Sequence, residues 1–406
     1  MTAPGRTDLA GALRALTDKH APHGGESGSA HAVATWARAR WPSLAFTIDD
    51  GNIVCSVGTG PTLVLYSHLD TSLTGDPARD SPVTGHDRPA PTGLTDDGNE
   101  FRGFGLSVAR APAAAAIVGF AAAAKHASDT GRLTLLLARG GTHRDGTGEH
   151  GGGVRSYLAR HGIPEAAIIA KGGAEGVLHD EPGAVYLRVR VSTTRGAVLS
   201  RDRATPPGGL AIHAGVVLAA VERWRTEVVL APDSRVGQTA REAGVGSVRC
   251  GAVDKPDLLP AVLDVHIYLV TVPGDDPTRL TDALRGILRL DLADGPLASC
   301  RIAIDRGPHQ PGGCTSAGAP VVGLVGRAWT IHTGSPPPHI AGWTGSTDGT
   351  VFREYGVDTV RTGPTAIATG DDPDVDAVKV TELLRYAQIY AHAGAEWLTG
   401  HNTEGQ

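Results

Sequence analysis

The stretch Leu63-Val64-Leu65-Tyr66-Ser67-His68-Leu69-Asp70-Thr71 constrains this chain most, because a run of β-formers ends on a histidine with an aspartate two positions on. In an extended strand, residues i and i+2 share a face, so Asp70 can brace a His68 standing at the strand's end. A carboxylate behind an imidazole fixes its tautomer and raises its basicity, as the partners of zinc-binding histidines do. A bare His-x-Asp also fits a solvated turn, so the rest of the chain must decide between the two.

The 406 residues exceed one comfortable core and imply two domains. Apolar residues at helical spacing run from Leu9 to Trp41, with a Gly/His-rich break at His23–Ser29. Short β-runs follow at Leu44–Ile48, Ile53–Val57 and Thr62–Ser67. A long Asp/Gly/Pro-rich loop spans Leu69–Phe104, a length that is usually functional inside a compact domain. The Ala-rich helix Ala109–His126, strand Leu133–Ala138, polar Gly-rich Gly140–Gly153, helix Val154–His161 and strand Ala166–Ala170 come next. Strands alternating with helices imply a doubly wound, mainly parallel α/β sheet. From Gly183 the pattern changes, because Val185–Thr193 alternates like an antiparallel strand with one wet face. Helix Leu210–Arg225, strand Val262–Val272, helix Pro277–Leu290 and strand Ala298–Ile304 then fit a ferredoxin-like α+β unit. The α/β pattern resumes at Val321–Trp329, with strand Thr359–Gly363 and a last helix Ala377–Leu398. The expected division is an α/β domain at 1–182 and 299–406, carrying an inserted α+β lid at 183–298.

Net charge is −6 with both signs interspersed. No basic tract suggests nucleic acid, and no Lys/Arg-rich amphipathic helix suggests a membrane surface. The N-terminus lacks an apolar core of the signal-peptide kind, and no apolar run is taken as long enough to cross a bilayer. Cys55, Cys250, Cys300 and Cys314 lack CxxC spacing, which argues against a disulfide framework or a thiolate zinc site. A cytoplasmic protein with no nucleic-acid or membrane partner is expected.

Several ordered motifs carry a resemblance. His68-Leu69-Asp70-Thr71, the loop Asp97-Gly98-Asn99-Glu100-Phe101-Arg102-Gly103-Phe104-Gly105, the strand–loop–helix Val248–Gly274 with Pro277–Leu290, and the segments Gly345–Arg353 and Val360–Pro364 fall in sequence over residues 9 to 398. This layout resembles the zinc-dependent aminoacylase and carboxypeptidase superfamily, which includes acetylornithine deacetylases and succinyl-diaminopimelate desuccinylases. The resemblance implies a zinc-peptidase-like catalytic domain, a ferredoxin-like lid that pairs two subunits, and a small substrate bearing a carboxylate. It further implies substrate contacts from Thr347, Asp348, Arg353, Gly363 and Pro364. Arginine suits a carboxylate because its planar fork matches it in bidentate fashion.

The metal positions depart from that family. Its bridging carboxylate falls on Val108 and a further acidic ligand on Lys171. The acidic pair after the fourth strand falls on Glu149 and His150, the C-terminal histidine ligand on Asp371, and the lid histidine on Leu199. A two-zinc site needs an oxygen ligand shared by ions about 3.5–4 Å apart. Val108 offers none, and an ammonium at position 171 repels a dication. No cofactor is therefore expected, with zinc on His68, His150 and Asp371 as the alternative. Three readings follow: metal-independent amide or acyl chemistry by Glu149, His68, Asp70 and Lys171; a single-zinc hydrolase; or a non-catalytic binding homologue. Cys314, beside Gly312-Gly313, is weighed as a thiolate nucleophile.

Overall fold

A run with no polar face can lie only where neighbours cover both sides of a sheet. The computed structural model describes residues 4–142, 151–173, 175–198, 206–369 and 375–400. It divides into two units, Met1–Asp180 with Cys314–Ile340 and Thr347–Gln406, and Glu181–Gly313 with Ala341–Ser346.

The first unit is built on a six-stranded sheet. Its strands are β1 (Thr47–Asp49), β2 (Asn52–Gly58), β3 (Thr62–His68), β4 (Arg132–Ala138), β5 (Ala166–Ala170) and a closing strand Asp358–Thr362, in the order β1-β2-β4-β3-β5-closing. β3 pairs in parallel with β4 and β5, and the closing strand runs parallel to β5. β1 and β2 form an antiparallel edge. The sheet is thus mixed, with four parallel strands running from its middle to one edge and an antiparallel pair at the other.

The pleat sorts β3 into two cores. Leu63 and Leu65 join the cluster formed with helices α1 (Arg6–Thr17), α2 (Ser27–Arg40), α3 (Ala111–Ala123) and the C-terminal helix Val380–Thr399. Val64 and Tyr66 face the opposite cluster with Val154, Tyr157 and Phe352. Small residues let helices come close: a Cβ on Gly119 of α3 would sit 2.8 Å from the Ala387 carbonyl oxygen and from Tyr390 Cβ. The 21-residue run Leu106–His126 is long and apolar enough to cross a membrane, contrary to the reading from sequence, but most of it is buried inside this unit. A buried core helix meets the same test of length and composition.

The second unit is a four-stranded antiparallel sheet of β6 (Gly183–Ser192), β7 (Glu242–Cys250), β8 (Val262–Thr271) and β9 (Arg301–Arg306), ordered β7-β8-β6-β9. Buried positions alternate along β6, as a strand with one covered face requires. Helices α4 (Ala214–Trp224) and α5 (Pro277–Leu292) complete the β-α-β-β-α-β order of a ferredoxin-like unit. α5 starts where Asp276 accepts from Thr278 N at 2.8 Å with Pro277 at its first position. Trp224 of α4 donates to the Leu280 carbonyl at 2.9 Å and locks the two helices together.

Three expectations need correction. The lid does not end at residue 298: β9 pairs with β6 from Arg301↔Ser192 to Arg306↔Leu187, so this unit runs on to Gly313. The loop 69–104 holds a helix, Pro77–Thr84, and two strands, Leu94–Asp96 and Glu100–Phe104. The last helix begins at Val380, because Val375–Lys379 is a strand paired antiparallel with Glu100–Phe104.

Candidate functional site

Parallel strands present their C-terminal ends along one edge of a sheet, where α/β folds place their sites. His68 closes β3 and lies in register with Ala138, the last residue of β4. Lys171 follows β5, and Gly363 follows the closing strand.

His68 and Asp70 are both fully buried, and His68 Nδ1 lies 3.0 Å from Asp70 Oδ1. Asp70 also accepts from Gly141 N on Oδ1 and from Thr142 N on Oδ2, each at 2.8 Å. His23 Nδ1 stands 3.4 Å from Oδ2. Burial works to raise the Asp70 carboxyl, but the donors His23, His68 and Thr142 hold it well below the usual carboxylate range. His68 is lowered from its ordinary 6.5, first by burial and then by the positive charge of Lys171, against the opposing pull of Asp70. The imidazole is thus kept neutral. With Nδ1 turned to the carboxylate, Nε2 carries the free lone pair, and among the described residues that buried atom has no hydrogen-bond partner.

Glycines fix the loops around this pair. A Cβ on Gly141 would collide with His68 Cβ, so no other residue lets the chain pass there. Gly363 packs flush on the backbone of Lys171, where an added Cβ would lie 2.6 Å from the Lys171 carbonyl oxygen. Gly172 fits as closely against the Pro364 and Ser107 carbonyl oxygens. Lys171, half-buried, is therefore held between the β5 and closing-strand loops, with Gly363 packed on its backbone and Pro364 against Gly172.

The other anticipated substrate contacts, Thr347, Asp348 and Arg353, make bonds within the fold. Thr347 and Asp348 are fully buried, and Tyr66 donates its hydroxyl proton to Asp348 Oδ2 at 2.6 Å. Thr347 Oγ1 accepts from Gly349 N at 3.0 Å, just ahead of the helix Gly349–Glu354. Arg353 Nη2 donates to the carbonyls of His179 at 3.1 Å and Thr359 at 2.7 Å. These bonds tie the three side chains into the framework.

Val108 sits half-buried in the turn Leu106–Arg110, whose Ser107 N donates to Asp376 Oδ2 at 2.8 Å. The Cys314 thiol is pushed up to about 11 by partial burial and then by Asp180, the opposite of what a thiolate nucleophile needs. Glu149, His150, Asp371 and Leu199 lie outside the described residues.

Sequence reasoning passed over His23 and Glu26, which sit in the break between α1 and α2. Glu26 is 5% exposed, and its Oε1 accepts from Gly24 N at 3.0 Å and Gly140 N at 2.9 Å. The only signal was polar residues in a break between two helices, which reads equally as a solvated turn.

No family model and no curated sequence matches the chain. Solved structures do. Human carnosine dipeptidase 1 superposes with a TM-score of 0.67 at 12% identity, covering 97% of this chain and 97% of that one. The dipeptidase Dug1p from Saccharomyces cerevisiae gives 0.66 at 11% identity over 98% and 99%. The M20 family metallo-carboxypeptidase Sso-CP2 from Sulfolobus solfataricus gives 0.64 at 13% identity over 96% and 99%. The likeness runs the length of both chains in each case, and the protein has the fold of the M20 peptidases, the zinc aminoacylase and carboxypeptidase superfamily that its motifs resemble.

Proposed function

We propose that the chain cleaves or forms an amide or acyl bond in a small acyl-amino-acid or peptide-like substrate, without a two-zinc centre. The observation that carries this reading is the buried Nε2 of a neutral His68, set by Asp70 and left without a partner among the described residues. A placed, neutral imidazole takes and returns a proton without help from a metal. Lys171 supplies a fixed positive charge beside it, able to hold a substrate carboxylate or the oxyanion formed at the attacked carbonyl. Glu149 enters as general base on the sequence register alone. Peptidases and dipeptidases of this fold support the bond class.

Zinc is the group the fold implies, and the donor set fits a pair of ions poorly. His68 Nε2 is one suitable ligand, but Val108 stands where an oxygen must bridge, and Lys171 adds charge of the wrong sign. A single zinc on His68, with His150 and Asp371, is the second reading, favoured by that same orphaned nitrogen. A non-catalytic binder is the third.

The test is a turnover screen of the full chain on N-acyl amino acids and dipeptides. His68→Gln and Lys171→Met should each cut kcat/KM by about 100-fold or more. Substrates that bind without turnover would leave the binding homologue. Two equivalents of zinc per chain, lost together in His68→Gln, would restore an ordinary two-zinc hydrolase.

We also propose a homodimer formed through β7 and α4, in a cytoplasmic setting that suits four unpaired cysteines. β7 is an outer strand of its sheet with Val245 and Val248 more than 40% exposed.

A further inference from the structure

We propose that His23, Glu26 and Asp70 form a site for one divalent cation of zinc type, on the Asp70 side of the His68 ring and separate from Nε2. One imidazole nitrogen and two carboxylate oxygens, one from each residue, all lie within 4.8 Å of one another. His23 Nδ1 is 3.4 Å from Asp70 Oδ2. Two ligand atoms about 2.1 Å from a tetrahedral ion are themselves about 3.4 Å apart. That edge already has the span of a coordinated pair.

Glu26 closes the triangle. The N–H groups of Gly24 and Gly140 hold its Oε1, which leaves Oε2 as the second donor oxygen. Gly140 adopts a φ of 63°, and a Cβ there would lie 3.3 Å from His23 Cε1, so the chain passes flush against the imidazole and limits its swing.

The charge calls for a cation. Glu26 and Asp70 are 5% and 0% exposed, and among the described residues neither is ion-paired with a lysine or arginine. Two buried carboxylates beside an imidazole nitrogen make a donor set that suits a dication. Three protein ligands with an open fourth position is a donor count zinc accepts. The His23 side chain is 18% exposed, which gives an ion a way in. An ion there would clamp Asp70, and through it the orientation of His68. The proposal does not depend on the reaction assigned to the cleft, since the ion can bind whether or not an amide is turned over.

The experiment uses the full chain stripped with chelator, zinc chloride as the only probe, and metal analysis after gel filtration with circular dichroism to confirm folding. The unmodified protein and His68→Gln should each retain one equivalent. His23→Ala and Glu26→Gln should bind at least about tenfold more weakly. Glu26→Gln keeps an acceptor for Gly24 and Gly140, so it decides the matter if His23→Ala does not fold. No retained zinc in the unmodified protein would overturn the proposal. So would retention unchanged in both variants, or zinc lost in His68→Gln yet kept in Glu26→Gln.

Discussion

Tyr66 donates to Asp348 Oδ2 at 2.6 Å with both side chains fully buried. Tyr66 precedes His68 by two residues on one strand and therefore shares its face. The bond ties the floor beneath His68 to the start of the helix Gly349–Glu354. Breaking it should cost about 1.5–3 kcal/mol, the range for a hydrogen bond to a charged group. Urea unfolding of Tyr66→Phe, Asp348→Asn and the double variant should show both single losses and a sum smaller than additive. Full additivity would mean that the two residues act independently.

The pair His68–Asp70 makes stability depend on acid. The His68 pKa is lowered in the fold, so the unfolded chain takes up a proton first as pH falls below its ordinary 6.5, and stability drops from there. Asp70 is also lowered, so its contribution is complete above the ordinary 3.8 and fades only as pH falls toward its folded value. Each group adds a slope of at most about 1.4 kcal/mol per pH unit inside its own window. His68→Gln should flatten the fall below pH 6.5 and leave the one below pH 3.8 in place. Urea midpoints measured from pH 7 to pH 3 check this.

Arg353 belongs to the framework by the same logic. Its Nη2 spans the carbonyls of His179 and Thr359, a geometry that a lysine ammonium reproduces poorly. Arg353→Lys should lower stability by about 1–3 kcal/mol while moving KM for a carboxylate substrate less than twofold. A large rise in KM at unchanged stability would return Arg353 to the substrate.

The sheet was legible because β3, β4 and β5 are continuous apolar runs, and β6 alternates. Periodicity reports burial, and burial decides those elements. Strand Val375–Lys379 escaped because its partner, Glu100–Phe104, lies far away in sequence and its own residues continue smoothly into a helical pattern. The edge of the lid was misplaced for a related reason: β9 joins a sheet whose neighbour β6 is over a hundred residues earlier. Within the site, His68 and Asp70 were readable as a local i, i+2 pair. His23 and Glu26 were not, because only the fold carries the break between α1 and α2 to the Asp70 carboxylate. Thr347, Asp348 and Arg353 sit in a motif that resembles a substrate loop, while their side chains are spent on Tyr66, Gly349 and two backbone carbonyls.

A strand on the outside of a sheet with apolar side chains exposed invites pairing with another chain. Sedimentation at micromolar concentration should give twice the 41.8 kDa chain mass. Val245→Lys with Val248→Lys should halve it, since charges on an exposed strand repel a second copy, while leaving the thermal midpoint within a few degrees. A single-chain mass for the unmodified protein would defeat the dimer without touching the fold.

The proposed absence of a two-zinc centre can be tested by changing the two residues that the resemblance sets at its ligand positions. Val108 offers no oxygen, and Lys171 places a cation within electrostatic reach of His68. Val108→Asp restores a carboxylate that two ions can share, and Lys171→Glu exchanges a repelling charge for a ligand. Neither change alone completes a site, because Val108→Asp leaves the Lys171 charge in place and Lys171→Glu supplies no bridging oxygen at position 108. The two together should raise zinc affinity at the His68 position by at least about tenfold, and His68→Gln should abolish the gain. The glutamate also removes the charge that depresses His68, so the imidazole becomes more basic and zinc competes with a proton there from a higher pH. Metal titration of the four variants decides it: equal affinity in the double variant and the unmodified chain would show that positions 108 and 171 are not what keeps a second zinc out.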